Sequence, residues 1–115
     1  MNNTILGLTK PYYYFANYHN PIYPACTDSN EGSNDRLVIE AGERLWTPLF
    51  DGFGFIASME HHTHYRKFTY PIRNREVNMT KGTRYIGDGS WGVTQDTCPI
   101  EKHTPHLNLM EKVAF

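Results

Sequence analysis

Short apolar runs alternate with polar, turn-rich segments along the chain. The first apolar run, residues 11–18, is continuous and rich in tyrosine, which predicts a strand covered on both faces. It ends at Asn20-Pro21, because a residue that precedes proline is disfavoured in helical conformation. The segment from Cys26 to Asn34 is polar and rich in turn-forming residues, which indicates a surface loop.

A helical period follows this loop. Asn34 or Asp35 is expected to cap the helix, and apolar residues then recur on one helical face. The apolar positions are Leu37, Val38, Ala41, Leu45, Trp46 and Leu49. Gly42 and Pro48 are expected to weaken or kink the helix, and Asp51-Gly52 to end it.

Two further apolar segments predict strands, at residues 53–59 and 83–86. The order strand, loop, helix, strand is typical of an α/β fold in which neighbouring strands share one sheet. A length of 115 residues leaves room for one domain or a piece of one. The sequence therefore predicts a single α/β unit.

The composition narrows the class of protein. The chain is 39% hydrophobic and 14% aromatic, which indicates a globular protein and excludes intrinsic disorder. Its formal net charge of −1 argues against a nucleic-acid backbone or an anionic membrane as partner. Every apolar run is too short for a membrane span or a signal peptide. We expect no nucleic-acid partner, no membrane partner and no signal peptide in this chain.

The positive charges are concentrated between the last two predicted strands. Residues 66–84 hold six of the eleven Lys and Arg residues against one acid, Glu76. The six are Arg66, Lys67, Arg73, Arg75, Lys81 and Arg84. We expect most of them to form a solvated face, with Arg66 the best candidate to pack near a functional site.

The cysteines and glycosylation sequons say little about cellular compartment. Cys26 and Cys98 are compatible with one disulfide and equally with two free thiols. Sequons at Asn2 and Asn78 favour a secretory route weakly, and chance occurrence explains each at least as well.

Four of the six histidines follow predicted strands. In extended chain, His62 and His64 point to one side and His61 to the other, so two imidazoles share a face. Imidazole is the commonest protein ligand for divalent metal ions of borderline softness. His19 also lies just past a strand, and ligand sites collect at strand ends in open α/β sheets. Ordinary surface histidines are the alternative, but the His-x-His spacing with a third strand-end histidine favours metal binding.

The segments around these histidines resemble a known family. Tyr18-His19-Asn20-Pro21-Ile22-Tyr23 resembles the His-x-Pro-x-Tyr segment of purple acid phosphatase-like (calcineurin-like) metallophosphoesterases. Residues 60–72 are similar to their Gly-His-x-His segment and the Tyr-x-Arg-Thr-x-Pro sequence after it, with His61 where many members have Gly or Asn. Residues 44–50 resemble the family's preceding helix, and residues 85–92 its glycine-rich strand. The four segments occur in the family's order.

The resemblance implies a sandwich of two mixed β-sheets flanked by helices, with a binuclear metal centre that hydrolyses phosphate esters. By the same resemblance, His19 and His62 bind a divalent ion, and His64 binds the second ion, which is iron in the purple enzymes. The pairs used in the family are iron with zinc, manganese or iron. The two ions hold the phosphate ester and activate a hydroxide for in-line attack. The implied parent is an acid phosphatase of the secretory pathway or the extracellular space.

The family's remaining metal-ligand segments precede His-x-Pro-x-Tyr, and the eighteen residues before His19 contain no Asp. We therefore expect residues 1–115 to be the C-terminal portion of such a catalytic domain, incomplete at both ends. We expect at most one weakly bound divalent ion, no phosphatase activity, and self-association through uncovered sheet surface. The alternatives are a non-catalytic metal-binding or interaction module that keeps a remnant of the fold, and a truncated gene product without independent function.

Overall fold

The computed structural model describes residues 12–26, 33–89, 98 and 104–111. Within these ranges the backbone forms two helices and seven strands. The helices are α1 (Ser33–Leu45) and α2 (Thr47–Phe53). The strands are β1 (Phe15–Tyr18), β2 (Ala57–Glu60), β3 (Arg66–Thr69), β4 (Ile72–Arg73), β5 (Glu76–Val77), β6 (Arg84–Asp88) and β7 (Leu107–Glu111). The predicted α/β fold class is confirmed.

Five of the strands form one mixed sheet, in the order β1-β2-β6-β3-β7, and β4 pairs with β5 in a separate two-stranded sheet. β1, β2 and β6 are mutually parallel, whereas β3 runs antiparallel to both β6 and β7. Parallel neighbours need a crossover connection, and α1 and α2 supply it between β1 and β2. Because β1, β2 and β6 are parallel, they end at one edge of the sheet, which we call the carboxyl edge.

The strands differ from the sequence-based predictions in three ways. β1 covers only the end of the predicted strand 11–18, and Pro11 lies outside the described residues. The expectation that β1 is covered on both faces is wrong, because Phe15 remains 60% exposed and β1 is the outermost of the described strands on its side of the sheet. The predicted strand 83–86 overlaps β6, whereas only the second half of the predicted strand 53–59 lies in β2, because Phe53 is the last residue of α2 and Gly54 ends that helix.

The predicted helix is interrupted at Trp46. Pro48 lies in the first turn of α2, where its missing N–H needs no partner, so a new helix begins there. α2 ends at Gly54, whose φ of 69° is in the left-handed region that glycine tolerates best. Most of the loop predicted before α1 lies outside the described residues, and α1 itself begins at Ser33, just before the predicted cap residues.

The core lies between the helices and the sheet, and it is largely aromatic. Its buried members are Ile22, Tyr23, Phe50, Ile72 and Tyr85, with Ala16, Tyr18 and Phe55 packed against them. The Tyr23 and Tyr85 rings meet edge to face, with centroids 4.6 Å apart. Most of the apolar stripe predicted for the helix is not in this core: Leu37, Val38, Leu45, Trp46 and Leu49 are all exposed.

Two sequence-level questions about charge and cysteine are answered by the structure. Lys67 is 1% exposed, so the expectation of a solvated cationic face is wrong for this residue, while Arg66, Arg75 and Lys81 are exposed. Cys26 and Cys98 form a disulfide with their Cα atoms 6.0 Å apart, which excludes the free-thiol alternative. In the described part of the chain no helix has the length and apolar character needed to cross a bilayer.

Candidate metal centre

The parallel pairing of β1 with β2 brings the predicted histidines to one place. The two strands are in register, with Tyr18 opposite Glu60. The ladder extends past both strands, because the His61 N–H donates to the carbonyl oxygen of His19 at 3.0 Å. The segments that carry His19 and His62 therefore leave the carboxyl edge side by side.

The imidazoles of His19 and His62 are in direct contact. His19 Nε2 lies 3.0 Å from His62 Nδ1, and the ring centroids are 4.9 Å apart. One ring donates its N–H to the other, and which of the two is the donor depends on their tautomers. Two nitrogens that bind one tetrahedral zinc ion at 2.0–2.1 Å are about 3.3 Å apart. The observed separation is close to that value, and binding of one ion would require the shared proton to leave and both rings to turn their lone pairs towards it.

The chain after β2 is not extended, which corrects the expected side-chain alternation. His62 and His64 have φ values of 63° and 58°, in the left-handed region that β-strands avoid. A tight turn accompanies them, with the Thr63 N–H donating to His61 O at 2.7 Å. His62 therefore reaches His19 through a turn and not through the alternation of a strand.

His61 makes a separate set of polar contacts across the carboxyl edge. Its Nδ1 lies 2.9 Å from Asp88 Oδ2, and its Nε2 lies 2.7 Å from Asn17 Oδ1. His61 thus links the ends of β1, β2 and β6. Sequence reasoning missed Asp88 and Asn17, although Asp88 lies two residues after the predicted strand 83–86 and a position just past a strand could have indicated it.

The metal ligands predicted from the sequence are brought together only in part. His19 and His62 meet, but within the described ranges no group of three or more His, Cys, Asp or Glu side chains is arranged to hold an ion. His64 therefore does not join the His19–His62 pair in a three-ligand site there. Among the described residues, two imidazoles are brought together, and the further donors that a binuclear centre needs are not grouped with them.

A buried polar group lies beneath the histidine pair. The side chain of Glu60, the last residue of β2, is fully buried and forms an ion pair with buried Lys67. Tyr18 Oη donates to Glu60 Oε1 at 2.8 Å. Burial raises the pKa of the Tyr18 phenol, and the neighbouring Glu60 charge raises it further. Tyr18 therefore stays protonated and remains a hydrogen-bond donor to the carboxylate.

An apolar groove of about 250 Å³ opens beside His19, between the end of β1 and α1. Val38, Leu45 and Trp46 contribute its apolar wall. The Trp46 ring also meets Tyr18 edge to face, with centroids 5.0 Å apart. The histidine pair thus borders an apolar surface on its helix side.

The predicted glycosylation sites fall partly within the described residues. Asn2 lies outside them. Asn78 Oδ1 accepts hydrogen bonds from the Thr80 N–H and the Lys81 N–H, at 3.2 Å and 3.0 Å, in a surface turn. The Thr80 hydroxyl of the sequon lies 3.1 Å from the same oxygen.

No protein-family model matches this chain, and no curated protein matches it either. The resemblance to purple acid phosphatase-like proteins therefore remains a prediction from the quoted segments.

Proposed function

We propose that the carboxyl edge is part of the site of a metal-dependent phosphoric ester hydrolase, in which His19 and His62 share one divalent ion. The single observation that carries this proposal is the 3.0 Å separation of His19 Nε2 and His62 Nδ1. The two residues are forty-three positions apart in sequence. They also belong to the two segments that most resemble the family's metal-ligand segments.

The chemistry of the pair supports the same function. Neutral imidazole is a good ligand for zinc, cobalt and iron. A bound divalent ion polarises a phosphoryl oxygen and binds water as a source of hydroxide. His19 and His62 supply two donors to such an ion, fewer than the three protein ligands of ordinary catalytic zinc sites. We therefore propose weak binding of a single ion by this chain.

Calorimetric titration with zinc, together with the visible spectrum of added cobalt, tests the proposal. We expect one weak site in the wild-type chain, and we expect His62→Ala to lose most of the binding. His106→Ala is the matched control, because His106 lies at the opposite edge of the sheet, where its carbonyl accepts the N–H of Tyr70 just after β3. Equal binding by the wild type and His62→Ala would show that the assignment is wrong.

Binding of phosphate separates this function from a second candidate. The second candidate is a non-catalytic metal-binding module, which the two imidazoles brought together at the carboxyl edge favour and which needs no further catalytic group. A phosphoesterase site predicts that inorganic phosphate binds the zinc-loaded chain and that His62→Ala abolishes this binding. A metal-binding module predicts that zinc binds and that phosphate does not.

We also propose that the protein belongs to an oxidising compartment such as the secretory pathway. The Cys26–Cys98 disulfide supports this, because disulfides persist in such compartments and are rare in the reducing cytosol. The exposed backbone turn at Asn78 offers a glycosylation acceptor. Expression in a secretory host tests the proposal: a glycosidase-sensitive mass shift that Asn78→Gln removes would support it, and an unglycosylated, reduced chain would contradict it.

A further inference from the structure

The ion pair of Glu60 and Lys67 is the only ion pair among the described residues in which both side chains are fully buried, with 0% and 1% exposure. Glu60 Oε2 accepts from Lys67 Nζ. Glu60 Oε1 accepts from Tyr18 Oη and from the N–H of Ile22, at 2.8 Å and 2.7 Å. Lys67 Nζ also donates to the carbonyl oxygen of Tyr23. The pair is thus hydrogen-bonded to the chain on both sides of His19.

The pair joins the two segments that carry the candidate metal ligands. Glu60 is two residues before His62, and its carboxylate holds Tyr18 and Ile22, which flank His19. The β1–β2 ladder fixes the chain only as far as the His61-to-His19 hydrogen bond. Beyond that point, the backbone at Ile22 and Tyr23 is bonded to the charged side chains and not to another strand. The pair is therefore one of the contacts that hold the turn after His19, beside the packing of Ile22 and Tyr23 in the core.

Stability alone is a weak reason for such a pair. Removing two charges from water costs several kcal/mol per ion, and well-packed apolar replacements of buried pairs are often neutral or stabilising. A buried pair does, however, fix geometry, because each charge must keep its partners. One of the four hydrogen bonds joins the pair itself, and the other three go to Tyr18, Ile22 and Tyr23, on the two sides of His19.

We propose that Glu60 is a positioning residue: its hydrogen bond from the Ile22 N–H holds the turn after His19 against the end of β2 and so sets the His19–His62 contact, while Lys67 neutralises its buried charge. The proposal rests on the proposed function for its biological purpose. The contact itself is a property of the metal-free protein, so it is tested independently of metal binding.

The test compares two double variants with the wild type. E60M/K67M removes both charges and every hydrogen bond of the pair while keeping similar side-chain volume. E60Q/K67M also removes the charges but keeps an amide oxygen that accepts from the Ile22 N–H. R36M/E40Q is the matched control, because it removes an exposed ion pair on α1, with side chains 80% and 56% exposed.

The readouts are the urea unfolding midpoint, the nuclear Overhauser effect between the His19 and His62 ring protons without metal, and cobalt affinity. We expect E60M/K67M to unfold near the wild-type midpoint but to lose the ring-to-ring signal and about tenfold or more in cobalt affinity. E60Q/K67M and the control are expected to keep both. If E60M/K67M does not fold, E60Q/K67M carries the test.

Two results would overturn the proposal. One is a folded E60M/K67M that keeps the ring-to-ring signal, since the pair would then serve the fold only. The other is a folded E60Q/K67M that loses the signal, since the Ile22 hydrogen bond would not be what holds the turn. If the wild-type protein binds no cobalt, the proposed function is wrong. The ring-to-ring signal, which is measured without metal, still shows whether the positioning proposal is right.

Discussion

Gly87 in β6 is paired with Lys67 of β3, and the chain of β3 lies very close to its Cα. A Cβ at this position would lie 2.4 Å from the carbonyl oxygen of Tyr65 and 2.8 Å from Cγ of Lys67. The first is backbone, and the second belongs to the side chain that must reach buried Glu60. We expect Gly87→Ala to lower the free energy of unfolding by about 1–3 kcal/mol, because neither group can move away without breaking its own contacts.

Urea unfolding measures this effect. Gly52→Ala is the control, because no atom lies within 4 Å of a Cβ there and the residue is helical. That variant is expected to be as stable as the wild type or more stable by up to about 1 kcal/mol. A Gly87→Ala variant of wild-type stability would show that β3 and β6 do not approach so closely.

Ionisation of the Tyr85 phenol makes the free energy of unfolding depend on pH in the alkaline range. Burial raises the pKa of its phenol above the ordinary value of 10.0, and nearby Tyr23 and Glu60 raise it further. The folded state therefore holds this proton more tightly than the unfolded state does. The contribution to stability is complete below about pH 10 and is lost as the pH rises above that value.

We expect the free energy of unfolding to fall as the pH rises above about 10, and to fall less steeply in Tyr85→Phe, which has no phenolic proton. Tyr13→Phe is the control: Tyr13 is 69% exposed, so this variant should leave the slope unchanged. Urea unfolding at several pH values gives the slope. The same slope in Tyr85→Phe and in the wild type would contradict the buried state of this phenol.

At the residue scale, the sequence predicted the convergence of His19 with His62 but not the residues beneath them. The histidines stand out by type and by their place after strands. Lys67 looked like one member of a cationic run, because nothing in the local sequence indicates that a lysine will be buried against Glu60. Asp88 lies next to His61 only because β6 pairs with β2, and this long-range pairing cannot be read from a single sequence.

At the scale of elements, the helical period located α1 and α2 correctly but not their burial. Periodicity shows which face of a helix is apolar, and it does not show what covers that face. Here Phe50 is buried in the core, while Leu37 and Leu49 are 64% and 54% exposed. The sequence predicted that Pro48 weakens or kinks the helix, because proline cannot donate a backbone hydrogen bond, and the observed break at Trp46 is of this type.

The exposed helical face predicts an unusual tolerance to substitution. We expect Leu37→Gln combined with Leu49→Gln to change the free energy of unfolding by only about 0.5 kcal/mol, because both side chains are already largely in water. Phe50→Ala should cost about 3–5 kcal/mol, since Phe50 is 7% exposed. The glutamine variant should also reduce self-association in sedimentation velocity. A cost similar to that of Phe50→Ala would mean that the face is covered in solution.

At the scale of the whole molecule, the sheet order assembles the candidate site. Three parallel strands end at the carboxyl edge, and β3 begins there because it is antiparallel to β6. The order strand, loop, helix, strand predicted that neighbouring strands share one sheet, and the structure shows that β1 and β2 pair in parallel. The position of β6 beside β2, and so of Asp88 beside His61, depends on long-range pairing that local patterns do not determine.

Catalysis is the final test at this scale, and we expect the chain to show no phosphatase activity above background. Hydrolysis at a binuclear centre needs two ions held at close range and a positioned hydroxide. The described residues bring together two imidazoles and no group of three ligands, so we expect them to hold at most one ion, and that one weakly. The measurement is release of p-nitrophenol from p-nitrophenyl phosphate with iron and zinc supplied, against metal alone and against His62→Ala. Metal-dependent turnover that disappears in His64→Ala would show that His64 completes a working centre, and the argument from ligand number would fail.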